Sequence, residues 1–407
     1  MQQNVISSGT AGGATSRLAP QDSLALYIHW PFCLSKCPYC DFNSHVFPEI
    51  PHALYVDALQ RELAHEATRL GKRRLTSIFF GGGTPSLMRP DDVARLIAEA
   101  TRLFQPVDSL EVTLEANPSS TEQARLAAIR EAGVNRVSLG VQSLDDAALK
   151  RLGRQHDAGE AIRALEMARH LFDRVSFDLI YARPDQTISA WRDELHQALA
   201  LASDHLSLYQ LTIEPGTKFE AEARQGRLIL PDGDEAARFY EVTGEIAALH
   251  GLGAYEVSNY ARPGAESRHN LAYWRYDDYL GIGPGAHSRL TCVDPTGDVQ
   301  KWAARRHRAP SLWLEHVNQD GHGTKAETSL GPEARAREAL LMGLRLQEGL
   351  TSESFMRKTG QKLQDCLDAT ILGAARDEGY LTFEDGHIAA TESGRIRLEA
   401  LLAALVL

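Results

Sequence analysis

The stretch YIHWPFCLSKCPYCDFNSH, from Tyr27 to His45, holds three of the five cysteines in this 407-residue chain. The three thiols follow the spacing Cys33-x3-Cys37-x2-Cys40. In a reducing compartment, clustered cysteines indicate metal or redox chemistry more than a disulfide framework. The fold and the function therefore depend on what three thiols hold together and why there is no fourth.

Two kinds of metal site suit three clustered thiols. A structural zinc ion needs a fourth ligand, which His29 or His45 could supply. A [4Fe-4S] cluster held by three thiolates has one iron without a protein ligand, and that iron can bind a substrate or cofactor, whereas electron-transfer clusters use four cysteines. Disulfide pairing would leave one thiol over. The spacing favours the cluster, and a zinc-stabilised binding protein without redox chemistry is the alternative.

Composition narrows the classes of function. The formal net charge is −11, and the basic clusters are short, GKRR at 71–74 and RRHR at 305–308. Neither forms a long positive stripe, so we expect no nucleic-acid partner, although such a patch could recognise an acidic protein or a propionate-bearing ligand. The chain has no charged leader followed by an apolar run and no apolar stretch of about 18 residues. We therefore expect a cytoplasmic protein with no membrane-spanning segment, and a flexible tail at 1–22 that is rich in Ser, Gly, Ala and Thr.

Short apolar runs alternate with helical patterns through the first two thirds of the chain. Strands are predicted at 24–30, 77–81, 111–117, 136–141, 175–181 and 205–211. Helices are predicted at about 52–70, 90–104, 121–132, 157–170, 187–201 and 234–249. Repeated strand–helix units predict a parallel sheet of the α/β class, either doubly wound or an open, partial barrel.

Chemically useful residues gather where these strands end. They are Cys33 after the first strand, Gly81 to Thr84 after the second, Glu115 and Asn117 at the third, Gln142 at the fourth and Asp178 within the fifth. The carboxyl ends of parallel strands form the active face of such folds. We therefore expect these groups to converge on one pocket.

The pattern changes beyond about residue 265. The segment from Ser267 to Ser288 is dense in aromatic residues and glycine, so 266–320 is predicted to pack on the barrel of residues 23–265. Helices are predicted at 332–346, 351–358, 361–377 and about 392–405, with a hairpin centred on Asp385-Gly386. This pattern predicts a mostly helical, winged-helix-like C-terminal domain at 321–407, which would bind a protein or act as a lid.

Several segments together resemble one family. CLSKCPYC resembles the signature of the radical S-adenosylmethionine (SAM) superfamily, in which three cysteines hold a [4Fe-4S] cluster and the free iron binds SAM. The further matching segments, in order along the chain, are YIHWPFC, FFGGGTPS, LEANP, GVQS, DLIYARPDQT and HNLAYW...YLGIGPGAHS. The set resembles the relatives of oxygen-independent coproporphyrinogen III oxidase, and most closely the HemW-type heme chaperones, over about residues 24–400.

The resemblance implies a partial (β/α)6 TIM-like barrel, with Cys33, Cys37 and Cys40 as the cluster ligands. The positions that it implies for SAM contact are Tyr27, Tyr39, Gly82, Gly83, Thr84, Glu115, Gln142, Arg154 and Asp178. Carboxylates and amides suit the ammonium group and ribose hydroxyls of SAM, and the guanidinium of Arg154 suits its carboxylate. The loop IYARPDQT departs from the Gly-Leu-Pro-Gly type that is commoner in the family, so Ala182, Arg183 and Asp185 change the loop after Asp178.

One candidate function is a radical SAM enzyme of porphyrin metabolism, similar to the oxidase. Its reduced cluster would cleave SAM to a deoxyadenosyl radical that abstracts hydrogen from a substrate. The oxidase relatives carry a further cysteine two residues after the third cluster ligand, where this chain has Phe42. That departure counts against decarboxylation.

The other candidate function is heme delivery. The chaperone branch carries an HNxxYW motif, present here as His269, Asn270, Tyr273 and Trp274. A neutral imidazole is a natural ligand of heme iron, so His269 is the candidate heme ligand, with His287 and Cys292 as weaker alternatives.

We therefore predict a heme chaperone that carries a [4Fe-4S] cluster with exchangeable SAM and has no coproporphyrinogen III oxidase activity. Such a protein needs a heme-acceptor protein, which the sequence does not name. It also needs a low-potential electron donor if the cluster turns over.

Overall fold

The structure, a computed structural model, describes residues 22–293 and 299–407. Except for Asp22, the tail predicted at 1–22 lies outside the described residues.

The first half of the chain alternates strands and helices. Its strands are β1 (Ser23–Trp30), β2 (Phe32–Cys33), β3 (His45–Val46), β4 (Arg74–Gly82), β5 (Gln105–Ala116), β6 (Arg136–Gln142), β7 (Arg174–Tyr181) and β8 (His205–Gln210). Its helices are α1 (His52–Leu70), α2 (Pro90–Leu103), α3 (Ser120–Gln123), α4 (Leu126–Glu131), α5 (Asp146–Arg151), α6 (Ala158–Leu171), α7 (Ile188–Leu201), α8 (Lys218–Arg224) and α9 (Gly233–Leu249).

Six of these strands form the barrel. They lie in the order β1-β4-β5-β6-β7-β8, and every neighbouring pair is parallel. The order follows the chain in one direction, whereas a doubly wound sheet reverses direction at a switch point. The predicted partial barrel is therefore confirmed, and the doubly wound alternative is wrong.

Later segments widen the same sheet. They are β9 (Gly253–Ala254), β10 (Asn259–Ala261), α10 (Arg268–Trp274), β11 (Tyr279–Ile282), β12 (His287–Val293), β13 (Val299–Arg306), α11 (Pro310–Asp320) and β14 (Thr324–Ser329). Strand β11 lies parallel to β1, and β12 to β14 continue as antiparallel strands. On the opposite edge β10 and β9 follow β8. In the described residues the two edges, β14 and β9, do not pair, so the barrel stays open.

Alternation along each strand gives the barrel two different faces. Leu24, Leu26 and Ile28 of β1 are fully buried in the main hydrophobic core, which the helices cover. The intervening residues Tyr27 and His29 point the other way, into the lumen. Polar groups can therefore face one cavity without entering the apolar core.

The C-terminal region forms a second core of its own. Its elements are α12 (Pro332–Gly343), β15 (Leu350–Thr351), α13 (Ser352–Thr359), α14 (Ala369–Asp377), β16 (Leu381–Glu384), β17 (His387–Ala390), α15 (Glu392–Ile396) and α16 (Leu398–Leu405). The three strands form a sheet in the order β15-β17-β16, and the predicted hairpin is its β16–β17 part. Glu338 joins this region to the barrel sheet, because it accepts hydrogen bonds from Arg289 and from the Tyr276 hydroxyl.

The domain limits predicted at 265 and 321 remain predictions. Strand β14 pairs with β13 and so belongs to the large sheet. We propose a boundary near residue 330, between β14 and α12, in place of 321.

Three predicted helices are interrupted. The helix predicted at 121–132 is split into α3 and α4, and the buried carboxylate of Glu122 accepts hydrogen bonds from Ser86 and from the backbone N–H of Asn117. The helix predicted at 361–377 is a short 3-10 turn followed by α14, which Asp368 caps. The last predicted helix is interrupted at Arg397.

Within the described ranges, no helix combines the length and the apolar character needed to cross a membrane.

Candidate functional site: a cavity at the carboxyl ends of the strands

The three clustered cysteines line one cavity at the carboxyl ends of the barrel strands. Cys33 ends β2, and Cys37 and Cys40 lie on the loop between β2 and β3. All three thiols are free and partly buried. Polar side chains lie beside all three: Thr84 Oγ1 lies 3.5 Å from Cys33 Sγ, Arg154 Nη1 lies 3.5 Å from Cys37 Sγ, and Ser44 Oγ lies 3.7 Å from Cys40 Sγ. Burial raises the pKa of the Cys33 and Cys40 thiols. Hydrogen-bond donors beside thiolates tune the potential of a cluster, so this arrangement suits one.

Asn43 and His29 anchor the end of this loop. The side-chain amide of Asn43 donates to the carbonyl oxygens of Pro284 and Arg308, each at 2.9 Å. The ring of His29 is hydrogen-bonded through Nε2 to the carbonyl oxygen of Asn43 at 2.9 Å and through Nδ1 to the hydroxyl of Tyr27 at 3.0 Å. Both ring nitrogens of His29 are therefore already used, which removes it as a ready fourth ligand for zinc.

Glycines 82 and 83 form one wall of the cavity. Gly82 has φ of +119°, and a Cβ there would lie 2.6 Å from the ring of His29. A Cβ on Gly83 would lie 2.6 Å from the carbonyl oxygen of Phe32. Only glycine fits at these positions, because the backbone there packs directly against His29 and Phe32, and both glycines line the cavity.

Two carboxylates face the same cavity without a salt-bridge partner among the described residues. Burial and the charge of Asp178 raise the pKa of Glu115 to about 8, although the Gly82 N–H donates to its carboxylate. Burial raises the pKa of Asp178 to about 6, against the effect of hydrogen bonds from Ser207 and Ser138. The pair is poised to bind a cation or hydroxyl groups, since either would offset the burial of the charge.

Arg154 supplies the positive side of the cavity. Its Nη2 donates to the carbonyl oxygen of Gly140 at 2.7 Å and to the side-chain oxygen of Asn117. Its buried Nε has no hydrogen-bond partner in the described part of the chain. The cavity therefore contains a guanidinium that could bind a carboxylate and two acidic groups that could bind an ammonium group. The amino-acid part of SAM carries both groups.

The loops after β6 and β7 hold an unusual backbone. Gln142, Ala182 and Asp185 have φ values of +70°, +55° and +62°. Ala182 and Asp185 occupy the positions where the commoner family loop has glycine, which explains that preference. Here Arg183 fastens the loop: its guanidinium forms a buried ion pair with Glu194 at 2.6 Å and donates to Ser143 Oγ at 3.0 Å. The turn is kept, with strain at Ala182 in place of glycine.

Eight of the nine predicted SAM positions line this cavity, the exception being Tyr27. Tyr27 lines a second cavity beside it, and Gly82 and Glu115 line both. Tyr39 lines the first cavity and packs against Phe219, with ring centroids 6.3 Å apart. The roles of all nine residues and of the three cysteines remain predictions, and the structure brings them to one end of the barrel.

His269 lies away from both cavities, inside the barrel lumen. It is 1% exposed, and its ring is hydrogen-bonded to Ser77 Oγ at 2.9 Å and to the Tyr273 hydroxyl at 3.2 Å. The ring also stacks on Phe79, and burial lowers the pKa of His269 to about 3. Heme ligation by His269 remains a prediction, and it would require the ring to leave these partners.

The rest of the HNxxYW motif divides between two environments. Tyr273 lines the second cavity. Trp274 instead packs beneath the guanidinium of Arg345, which lies 4.6 Å from its ring centroid. Of the weaker candidates, His287 is exposed and lines the second cavity, whereas Cys292 lies further along β12 and lines neither.

The donor set fits a cluster better than a single metal ion. In the described ranges, no group of three or more His, Cys, Asp or Glu side chains is arranged to hold a metal ion. Each thiolate of an iron–sulfur cluster binds a different iron, so the thiolates need not converge on one point. Three free thiols, the glycine wall and the carboxylates therefore fit a cluster with SAM.

Two residues of this cavity, Ser138 and Glu122, were not predicted from the sequence. Ser138 donates to Asp178, and the carboxylate of Glu122 accepts from the backbone N–H of Asn117, a predicted residue whose side-chain oxygen accepts from Arg154. The period of two along β6 offered a signal for Ser138, because it shares a face with Arg136 and Gly140.

Comparisons with known proteins identify the superfamily. Residues 27–198 match the family model described as Radical SAM superfamily, and residues 330–397 match that of the HemN C-terminal domain. Mitochondrial radical S-adenosyl methionine domain-containing protein 1 of Mus musculus is 42% identical over 94% of this chain and 87% of its own length. Heme chaperone HemW of Escherichia coli (strain K12) is 37% identical over 93% of this chain and 97% of its own.

A solved structure shows the same fold. Coproporphyrinogen III oxidase (HemN) from Escherichia coli, a radical SAM enzyme, superposes with a TM-score of 0.77 at 23% identity, over 96% of this chain and 91% of its own. The chain therefore belongs to the radical SAM superfamily, in the family that includes the HemW heme chaperones.

Proposed function

We propose that this protein binds heme and transfers it to an acceptor protein, and that a [4Fe-4S] cluster with exchangeable SAM controls that activity. Membership of the radical SAM superfamily implies the cluster and SAM. The relatives named as heme chaperones match nearly the full chain, which supports heme as the cargo and a heme-accepting protein as the partner.

The residues at the cavity have separate roles in this proposal. Cys33, Cys37 and Cys40 hold the cluster, which when bound supplies single electrons to SAM. Glu115 and Asp178 bind the ammonium group and ribose hydroxyls, and Arg154 pairs with the carboxylate. The glycine wall at 82–83 admits the ligand, and Gln142 adds an amide at the end of β6.

The identity and position of Phe42 favour the chaperone function over the oxidase function. Its side chain is 63% exposed and lines both cavities, so it stands where a cluster-bound ligand and a porphyrin would meet. The decarboxylating relatives are expected to have a cysteine here. A phenyl ring can pack on a macrocycle but cannot supply a thiol to redox chemistry.

Two further elements remain proposals. The cluster needs a low-potential electron donor if it turns over. We also propose a cytoplasmic location, which the free clustered thiols support because they persist in reducing compartments.

Heme transfer can be tested directly. The reconstituted protein is loaded with heme under anaerobic conditions and mixed with an apo heme protein such as apomyoglobin. The proposal expects heme to appear in the acceptor faster than it dissociates from the protein to a non-protein scavenger. Equal rates to acceptor and scavenger would contradict active transfer.

A further inference from the structure

We propose that heme occupies the second cavity, beside the cluster cavity, with the imidazole of His287 as an iron ligand in place of His269, and with Arg305 and Arg308 binding its propionates. This inference rests on the proposed function, because it names the place where the heme would bind.

The second cavity has the size and walls of a site for a flat aromatic ligand. Its volume is about 440 Å³, within the range of roughly 300–1,000 Å³ for small-molecule sites. Tyr27, Tyr273 and Tyr279 form aromatic walls, and the rings of Tyr273 and Tyr279 meet edge to face with centroids 4.3 Å apart. The exposed ring of Phe42 stands at the boundary with the cluster cavity. Such aromatic surfaces are well suited to pack on a macrocycle.

His287 is the accessible imidazole of this cavity. It is exposed at the start of β12, and in the described part of the chain its ring takes part in no hydrogen bond. His29, the other histidine of the lining, has both ring nitrogens engaged by Tyr27 and Asn43. His269 does not reach the lining. A metal ligand needs a free nitrogen lone pair, which His287 has without any rearrangement.

Two arginines surround His287. Arg305 lies directly opposite His287 in the antiparallel pairing of β12 and β13, so the two side chains share one face of the sheet. Arg308 lines the cavity itself, and its carbonyl oxygen is held by the amide of Asn43. Both arginines are exposed. Across the described residues neither guanidinium forms a salt bridge.

The charges give the ligand a direction. The lining includes the Glu115 carboxylate on the side shared with the cluster cavity and Arg308 on the side of His287. Propionates would pair with the second and not with the first, since guanidinium groups bind carboxylates in a bidentate manner and Glu115 offers no positive charge. A propionate-bearing macrocycle therefore fits with its acidic edge toward Arg305 and Arg308.

The first test compares histidine variants of the full, cluster-reconstituted chain. Ferric heme and metal-free protoporphyrin IX are titrated into the wild type, His287→Ala, His269→Ala and His170→Ala, an exposed control on α6. We expect His287→Ala to lose the imidazole-ligated absorption spectrum and to weaken heme binding about tenfold or more, with little change for metal-free porphyrin. His170→Ala should match the wild type.

Each contrary result has a distinct meaning. Heme binding by His287→Ala with the wild-type spectrum and affinity overturns the assignment of His287 and leaves the proposed function standing. Loss of the imidazole spectrum in His269→Ala alone, with a normal circular dichroism spectrum, overturns it in favour of His269. No heme binding by the wild type overturns the proposed function and the assignment together.

The second test concerns the propionates. The wild type is expected to bind heme about tenfold or more tightly than heme dimethyl ester, which has no carboxylates. The double variant Arg305→Ala/Arg308→Ala should lose that preference, while Arg192→Ala on α7 should keep it. An unchanged preference in the double variant overturns the assignment of the arginines.

Discussion

Glu115 on β5 and Asp178 on β7 line the same cavity, where burial and the charge of Asp178 raise the pKa of Glu115. When two buried carboxyl groups share a cavity, the protonated form of one of them is favoured until a cation binds beside them. Binding of a positively charged cofactor should therefore release protons, and that release can be measured.

SAM binding should release protons through Glu115. Its pKa of about 8 means that the group is mostly protonated at pH 7. An ammonium ion favours the ionised form, so we expect release of up to about one proton per SAM at pH 7. SAM affinity should also rise as the pH increases from 6 to 8.5. Calorimetry in buffers of different ionisation enthalpy measures the release, and Glu115→Gln should abolish it. The same release in that variant would contradict the assignment.

Cys37→Ser should remove the cluster and leave the barrel folded. Cys37 lies on the loop between β2 and β3 and lines the cavity. It is not part of the main hydrophobic core, so the substitution should leave the sheet intact. Iron and sulfide analysis of anaerobically prepared protein should give about four of each per chain for the wild type and close to none for the variant. Cys366→Ser, in the C-terminal region, is the matched control and should keep its iron. An intact cluster in Cys37→Ser would defeat the ligand assignment.

Ala182→Gly should stabilise the protein, unlike most substitutions by glycine. Ala182 has φ of +55° and is buried. Removing the Cβ relieves the strain of the left-handed backbone, with an expected gain of about 1 kcal/mol in the free energy of unfolding. Ala98→Gly, at an exposed position in the middle of α2, is the control and should lose about 1 kcal/mol. Urea denaturation measures both. A loss in Ala182→Gly as large as in the control would show that the loop carries no such strain.

Acid should destabilise the protein partly through His269. Burial holds its pKa at about 3, below the ordinary value of 6.5. The unfolded chain therefore binds a proton that the folded chain excludes, so stability is complete above pH 6.5 and is lost as the pH falls toward 3. At pH 5 this histidine alone should remove about 2 kcal/mol from the free energy of unfolding.

His269→Gln should lose that part of the pH dependence. The control is His170→Gln, at an exposed position on α6. Urea denaturation at pH 7.5 and pH 5 compares the three proteins. If the fall between the two pH values is the same for His269→Gln and the wild type, the ring is not held neutral as described.

The barrel strands could be predicted because they are long, apolar and separated by helices. The strands between residues 252 and 330 were not predicted individually, since several are only two to four residues long and lie among glycines and aromatic residues. Their pairing comes from the tertiary structure, not from a local pattern.

The candidate site shows a similar division. Strand ends could be predicted to converge, because parallel strands share their carboxyl edge. The position of His269 could not, because its partner Ser77 lies 192 residues earlier in the chain. From the sequence alone, the HNxxYW motif is equally compatible with an accessible histidine that could bind heme iron and with a buried one. Only the folded chain shows that His269 is enclosed and His287 is open.

An anaerobic, reduced incubation with SAM tests the central claim most directly. The reconstituted protein is supplied in parallel with coproporphyrinogen III and with heme, and the products are separated and quantified. Our account predicts a stable heme complex and no protoporphyrinogen, because Phe42 stands where the decarboxylating relatives are expected to have a cysteine. Formation of protoporphyrinogen over several turnovers would contradict the account and identify the protein as an oxidase.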